Sequence, residues 1–229
     1  MRLVLLMVAS ALVAGCSQTL DSQSSTARTP LTVPAPSATS GAWPSPATTS
    51  AATSPPTIAA GAAIDDVISR VEAGTPAAPE DFGSMSRDGA ITALDGGVAF
   101  STDTVSCVST PKYRDAMLSC LVDLTNPPPR PPDVFTVWKG NWVDFDGSSV
   151  EIGSPHGDPG PFVDGEGAAL PAGSSIAFGD FRCRADADAV LCVNYAERSA
   201  VQLGADGVDG FGCLAESDAP PGIGVRLSC

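Results

Sequence analysis

Two stretches of the chain share one layout that decides its fold: VAFSTDTVSCVSTPKYRDAMLSCLVD at residues 98–123 and IAFGDFRCRADADAVLCVNY at residues 176–195. Each begins with an aliphatic residue, alanine and phenylalanine, continues to a cysteine and a polar loop, and returns through a second cysteine among apolar residues. Such a pattern predicts a β-hairpin whose opposed strands bring cysteine β-carbons within the roughly 3.5–4.5 Å that a disulfide needs. It therefore predicts two stapled hairpins, with these disulfides: Cys107–Cys120 and Cys183–Cys192.

The remainder of residues 61–229 also has the pattern of β structure. Short apolar bursts, each bounded by Gly, Pro, Asp or Ser, recur along it at residues 91–94, 134–138, 142–145, 150–152, 176–178 and 190–193. Asp95-Gly96 is a hairpin signal, because both central positions of a type I′ turn need positive φ. The run NPPPRPP at residues 126–132 cannot pair in a sheet and is expected to cross the domain as polyproline.

One short helix is expected at the start of this domain, within AAIDDVISRVEAGTP at residues 62–76. Four apolar residues fall on one helical face: Ile64, Val67, Ile68 and Val71. Gly74 and Pro76 then end the helix, which we expect to pack on the sheet. The predicted fold class is mainly β: an antiparallel sandwich or barrel-like domain of disulfide-stapled hairpins, with one short N-terminal helix, preceded by a disordered Ser/Thr/Pro/Ala linker.

The first residues have the pattern of an export signal. One positive charge at Arg2 precedes a short apolar run, residues 3–15, which suits a secretory signal better than a membrane span of about 20 residues. The run ends in Val13-Ala14-Gly15-Cys16, which resembles a bacterial lipobox. That resemblance implies that residues 1–15 are a lipoprotein signal peptide. It also implies that Cys16 becomes a diacylated N-terminus, which would hold the protein on the outer face of the cell membrane.

Residues 16–60 carry the lipidated cysteine and the expected linker. From Ser17 to Ala60 the chain is dominated by Ser, Thr, Pro and Ala, with Asp21 and Arg28 as its charges. Such a composition cannot bury enough apolar surface to offset the entropy of ordering, so we predict disorder. The abundance of Ser and Thr beside Pro also suits O-glycosylation.

The cysteine count agrees with an exported domain. Seven cysteines less the lipidated Cys16 leave six, an even number in an oxidising compartment, and so predict three disulfides. Six cysteines permit fifteen pairings in principle. Given the two stapled hairpins, Cys213 and Cys229 are left to each other. A zinc site is disfavoured, since no cysteine pair has knuckle spacing and the single histidine, His156, lies in a different segment.

At the level of layout the domain resembles small exported proteins and lipoproteins of actinobacteria, including mycobacteria. In these, a Phe-Ser-Pro-Ser-Gly-Asn-Ile-x-Cys stretch opens one stapled hairpin, and Phe-x-Cys followed by Cys-x-Asn forms another. The corresponding residues here are 100–107, 181–183 and 192–194, although the first stretch lacks the proline and the glycine. The resemblance covers about two-thirds of the domain and implies no activity.

The net charge of the domain and the context of two sequence motifs restrict the ligands and reactions that it could support. From Ile64 onward the chain has 25 acidic and 10 basic side chains, a net charge of −15, which excludes nucleic acid as a ligand. The stretch Ser109-Thr110-Pro111-Lys112 matches the Ser-x-x-Lys of penicillin-interacting enzymes, but its position in a hairpin loop and the missing companion motifs argue against that role. His156 lacks a Gly-x-Ser-x-Gly partner motif, so a solvent-facing loop is the preferred interpretation over a catalytic base.

Acidic and aromatic residues leave further alternatives open. Acidic pairs that a glycosidase could use are Asp144 with Asp146, Asp164 with Glu166, and Asp186 with Asp188. Calcium on Asp144, Asp146 and Glu151 is the more credible small partner, although a β-turn at Asp146-Gly147 is the favoured explanation. Four aromatic residues could form either core or a binding surface, with core favoured: Phe135, Trp138, Trp142 and Phe145.

The sequence thus supports two functional classes. The preferred one is a non-catalytic envelope lipoprotein, without a cofactor, that displays an acidic β-domain for binding an envelope protein, glycan or lipid. The alternative is an envelope hydrolase, such as a glycan hydrolase, that uses acidic side chains. A cleft that contains paired carboxylates would favour the hydrolase, and a flat or filled surface would favour the binder.

Overall fold

A computed structural model describes residues 58–114 and 116–229. The predicted signal peptide, Cys16 and nearly all of the predicted linker lie outside these residues. The described chain is mainly β, as predicted, with one α-helix, α1 (Ile64–Glu72). Its strands are β1 (Thr75–Pro76), β2 (Ser84–Arg87), β3 (Ala90–Ala93), β4 (Val98–Ser101), β5 (Val105–Ser109), β6 (Leu118–Val122), β7 (Trp138–Phe145), β8 (Ser149–Pro155), β9 (Glu166–Ala169), β10 (Ser174–Phe178), β11 (Phe181–Ala185), β12 (Ala189–Asn194), β13 (Ser199–Gly204), β14 (Gly207–Phe211), β15 (Ala215–Ser217) and β16 (Val225–Ser228).

The strands form two sheets that pack face to face as an open sandwich. The smaller sheet has six strands in the order β1-β10-β11-β12-β13-β14, and the larger has ten in the order β15-β16-β8-β7-β6-β5-β4-β9-β2-β3. Each sheet is built on a five-strand antiparallel meander, β4 to β8 in the larger and β10 to β14 in the smaller. The sheets are mixed, because two short pairs, β1 with β10 and β4 with β9, run parallel.

Both stapled hairpins lie in the core between the sheets. Cys107 faces Cys120 across β5 and β6, and Cys183 faces Cys192 across β11 and β12, in each case on the second and third strands of a meander. All four cysteines are buried within one apolar cluster that both sheets share. The third disulfide, Cys213–Cys229, joins the start of the last hairpin to the chain end and is exposed. The first two are the pairs that the hairpin layout predicts, and the third is the pair that remained for the last two cysteines.

The outer face of the smaller sheet is covered by α1. Val67 and Val71, both fully buried, pack against side chains of β12, β13 and β14, and Ile58 before the helix packs on the same cluster. Polar contacts attach the helix as well, since Arg70 pairs with Asp186 at 2.9 Å. The apolar face of the predicted amphipathic helix therefore packs on the smaller sheet, as expected.

A second apolar cluster covers part of the outer face of the larger sheet. Met85 and Leu94, from the β2–β3 region, pack with Val108, Trp142 and Phe162 on this face. Side chains alternate between the two faces of a strand, so a residue next to an inward cysteine points to this outer face. This cluster leaves part of the outer face of the larger sheet uncovered, and a cleft opens there.

Two local predictions were wrong in detail. Asp95 and Gly96 do have positive φ, and the Gly97 N–H donates to Leu94 O across the turn, but the strands on either side do not pair. The same dihedral pattern occurs at Asp88-Gly89, which does form a two-residue hairpin turn between β2 and β3. Turn chemistry selects a local conformation, whereas strand pairing depends on where the apolar faces are buried.

The apolar burst at residues 134–138 also differs from its prediction. Val134 is buried, but Phe135 and Val137 are exposed, and β7 begins only at Trp138. The preceding prolines supply no N–H groups for a strand ladder, so the chain enters the sheet late. The proline run connects β6 to its neighbour β7 in the same sheet, and its Pro128 carbonyl accepts a hydrogen bond from Trp138 Nε1 at 3.1 Å.

Candidate functional site

A cleft of about 260 Å³ opens on the outer face of the larger sheet. It lies between the loop that joins β5 to β6 and the Gly- and Pro-rich segment that follows β8. Its walls combine apolar and polar side chains: Val108, Thr110, Tyr113, Arg114, Met117, Ser119, Trp142, Asp144, His156, Asp158, Gly160 and Pro161.

Strand register explains why polar groups meet in the floor. Cys107 pairs with Cys120, and Cys120 with Val143, in one cross-strand row that faces the core. The next row along the same strands is Val108, Ser119 and Asp144, and it faces the opposite side of the sheet. The disulfide that fixes the hairpin therefore also fixes the position of Ser119, and the pairing of β6 with β7 places Asp144 beside it.

Two hydrogen bonds orient Asp144 in the floor of the cleft. Its Oδ1 accepts hydrogen bonds from Ser119 Oγ at 2.6 Å and from Trp142 Nε1 at 2.9 Å. Its Oδ2 lies 3.7 Å from a guanidinium nitrogen of Arg114, which is too long for a hydrogen bond. The Asp144 side chain is 12% exposed and that of Arg114 is 62% exposed, so a fixed carboxylate faces a loosely held cation.

His156 stacks on Trp142 beside this carboxylate. The two ring centroids are 3.5 Å apart, and Phe162 contacts the indole edge-on at 5.2 Å. Burial lowers the pKa of His156 and outweighs the opposing effect of Asp144, so the imidazole is neutral at pH 7. Within the described chain its ring nitrogens have no hydrogen-bond partner, while its backbone N–H donates to Val137 O at 3.0 Å. The neutral ring therefore keeps one donor and one acceptor available.

The segment after β8 can approach the aromatic floor because it contains glycine. Gly160 has φ +53°, and an added Cβ would lie 3.3 Å from the Trp142 ring. Asp158 Oδ1 accepts the Gly160 N–H at 2.7 Å, which fixes the turn and places a second carboxylate on the cleft wall. The sequence feature that we assigned to a solvent-facing loop is thus one wall of the cleft.

The other candidate motif takes no part in a catalytic arrangement. Ser109 ends β5, and Lys112 follows in a turn where its Nζ lies 5.3 Å from the ring centroid of Tyr113. A Ser-x-x-Lys nucleophile needs both residues on one face of a helix, and this segment is not helical. Thr110 alone of the four residues lines the cleft.

Most of the predicted acidic pairs serve other structural purposes. Asp146 accepts four hydrogen bonds from Ser148 and Ser149 in the β7–β8 turn, which confirms the turn explanation. Asp186 pairs with arginines of the smaller sheet and α1, and Asp164 contacts Thr92 at 3.4 Å. Residues 58–114 and 116–229 contain no group of three or more His, Cys, Asp or Glu placed to hold a metal ion.

The aromatic residues separate instead of forming one face. Trp142 lies under the cleft, whereas Phe145 points into the core and contacts Phe181 edge-on at 5.6 Å. Trp138 is half-buried, and Phe135 is 90% exposed. Core packing accounts for Phe145, while Trp142 both completes the outer cluster and forms the floor of the cleft.

No family model, curated protein or solved structure matches the chain. In the part of the chain that the structure describes, no helix is long and apolar enough to cross a membrane.

Proposed function

We propose that the protein is a non-catalytic lipoprotein of the cell envelope that binds a ligand through the cleft of its acidic β-domain. A diacylated Cys16 would hold it on the outer face of the cell membrane, and the Ser/Thr/Pro/Ala linker would place the domain away from the lipid surface. An envelope protein, a glycan or a lipid would supply the ligand. The observation that carries this proposal is the combination of apolar walls with a few oriented polar groups in one concave site.

The hydrogen-bonding pattern favours binding over catalysis. Ser119 Oγ donates to the Asp144 carboxylate, and within the described residues no imidazole or amine is hydrogen-bonded to that hydroxyl. A nucleophilic serine normally needs a stronger base, most often a histidine, to take its proton. Asp144 likewise has three polar neighbours, Ser119, Trp142 and Arg114. A carboxylate held in this way is suited to recognise a ligand group.

The experiment compares partner capture by the full-length protein and by a variant whose cleft is filled. Met117, 8% exposed, lines the cleft, so Met117→Trp should occupy its volume. Ile91→Ala, at a residue that is 76% exposed and outside the cleft, is the matched control. We expect one envelope component to be captured by the parent and the control and lost with the filled cleft.

Capture that is equal for all three proteins would exclude the cleft as the binding site. Thermal midpoints establish that each variant is folded. Should Met117→Trp unfold, His156→Ala, which removes a half-buried ring from the wall, serves as the second cleft variant. Mass spectrometry of the mature N-terminus tests the anchor separately, because a bare Cys16 would contradict it.

A glycan hydrolase is the second candidate, and one observation favours it. Asp144 and Asp158 line the same cleft together with a neutral imidazole, and paired carboxylates can act as acid and base or as acid and nucleophile. Incubation with envelope polysaccharides would reveal new reducing ends if this were the activity. Asp158→Asn should abolish that product, and the absence of product from the parent protein would remove this candidate.

A further inference from the structure

We infer that the ligand of the cleft is a small organic cation: a protonated amine with an apolar body, bound through Asp144. This inference rests on the proposed function and names the chemical class that the cleft recognises. In the bound state the ammonium group would contact Asp144 Oδ2, and the apolar body would lie against Val108, Met117 and Pro161.

The first argument is the unequal use of the two oxygens of Asp144. Oδ1 already accepts two short hydrogen bonds, which orient the carboxylate, whereas among the described residues Oδ2 has only the guanidinium of Arg114, at 3.7 Å. A carboxylate oxygen can accept more than one hydrogen bond. Oδ2 therefore keeps acceptor capacity on the cleft side, where an ammonium donor could form a short, charge-assisted bond.

The second argument is that Arg114 already places a cation at this position. Its side chain is 62% exposed and makes no hydrogen bond to Asp144 within the geometric limit. Because the Arg114 side chain is exposed and no hydrogen bond joins it to Asp144, this ion pair contributes little stability, and a better-placed ammonium could displace the guanidinium. Arg114 thus acts as an internal competitor for the ligand cation.

The third argument concerns the rest of the wall and the field of the protein. Val108, Met117 and Pro161 offer apolar surface, and the neutral His156 offers an acceptor that repels no cation. The chain has a formal net charge of −14, which raises the local concentration of cations and lowers that of anions. A cleft of about 260 Å³ suits a ligand smaller than a drug-sized molecule.

Two basic side chains near the cleft would repel a cationic ligand. The effect of removing one of them therefore distinguishes a cationic from an anionic ligand. Lys139 Nζ lies 5.1 Å from the Trp142 ring centroid, and Arg114 lies beside Asp144. If the ligand were an anion, Arg114 would bind it, and its removal would weaken binding. If the ligand is a cation, removal of Arg114 must strengthen binding.

The experiment titrates 2-phenylethylamine into the full-length protein, with 2-phenylethanol as the neutral probe and 3-phenylpropanoate as the anionic probe. Calorimetry gives the affinities, and the indole N–H resonance of Trp142, which is bonded to Asp144, reports binding at this site. We expect the amine to bind with a Kd of about 1 mM or tighter, and at least about tenfold more tightly than either other probe.

Two variants then test the residues. Arg114→Ala should tighten amine binding about threefold or more, and Asp144→Asn should weaken it about tenfold or more. Arg198→Ala is the matched control for the first, because Arg198 is also an exposed arginine, 61%, in an ion pair, but with Asp65 of α1. Amine affinity should not change in this control.

Several outcomes would overturn the inference: tighter binding of the anion, equal binding of the alcohol, no amine binding at 10 mM, or weaker amine binding by Arg114→Ala. The exposed Arg114 can be replaced without risk to folding, so the test stands even if Asp144→Asn unfolds. If 2-phenylethylamine does not bind but Met117→Trp still abolishes partner capture, the inferred ligand class is wrong and the proposed function stands.

Discussion

The buried and exposed disulfides should differ in what they contribute to stability. Cys183–Cys192 lies in the sandwich core with both residues fully buried, whereas Cys213–Cys229 is exposed near the chain end. The paired replacements Cys183→Ala with Cys192→Ala, and Cys213→Ala with Cys229→Ala, each remove one cross-link. Only the first also removes packed sulfur atoms from the core.

Loop length and core packing predict opposite answers to which disulfide, when removed, lowers the free energy of unfolding more. The sequence separations are 9 residues for the buried pair and 16 for the exposed pair. Loop-closure entropy alone gives about 2.7 and about 3.1 kcal/mol, so the exposed pair would matter slightly more. Each buried sulfur adds a lost contact and a small cavity, about 1 kcal/mol apiece, as for the loss of a buried methyl group. The expected costs are therefore about 5 kcal/mol for the buried pair and about 3 kcal/mol for the exposed pair.

Urea unfolding of the full-length protein, followed by circular dichroism, measures both costs. The denaturant slope m should rise in both variants, because an unfolded chain with one cross-link fewer exposes more surface. The third pair, Cys107–Cys120, is buried with a separation of 13 residues and should behave like the other core pair. If the exposed pair proved the costlier, loop closure would decide stability and the packing argument would be wrong.

Three further predictions concern packing, backbone and pH. Val71→Ala should cost about 2 kcal/mol in urea unfolding by removing a fully buried contact between α1 and the smaller sheet. Gly147→Ala should lower the free energy of unfolding by about 1–3 kcal/mol, because φ there is +95° and the new Cβ would lie 2.6 Å from Asn194 Cγ. In a double-mutant cycle, Asn194→Ala should recover part of this loss. Burial lowers the pKa of His156 from its ordinary 6.5, so the unfolded chain binds a proton that the folded chain does not, and stability should fall as pH drops below about 6.5. His156→Gln should flatten this slope in unfolding experiments between pH 7 and pH 5.

The hairpins, the helix and the disulfides could be predicted because each depends on local pattern. Alternating apolar residues around Cys107 and Cys183 determine which face of each strand is buried, and a disulfide on that face fixes the register. The spacing of Val67 and Val71 determines the buried face of α1 in the same way. In these elements local preference and tertiary packing agree.

The cleft could not be predicted because its residues come from separate parts of the chain. Asp144 was a candidate as part of an acidic pair and as a calcium ligand, and nothing local indicates that Asp158 and Arg114 would join it. His156 was assigned to a solvent-facing loop because glycine and proline surround it, yet Gly160 is what allows the segment to approach Trp142. Only the pairing of β6 with β7 brings Ser119 beside Asp144. Sites of this kind depend on register across the sheet, which a single sequence does not specify.

A comparison of the two meanders explains why the cleft forms on one sheet and not at the equivalent place on the other. Both meanders have a core disulfide between their second and third strands, but the loop between those strands is residues 110–117 in the larger sheet and residues 186–188 in the smaller. The longer loop supplies Tyr113, Arg114 and Met117 to the cleft. In the smaller sheet α1 packs over the corresponding outer face, and its Arg70 pairs with Asp186 of the short loop. The shared scaffold thus provides rigidity in both halves, while loop length and helix cover determine which outer face remains open to a ligand.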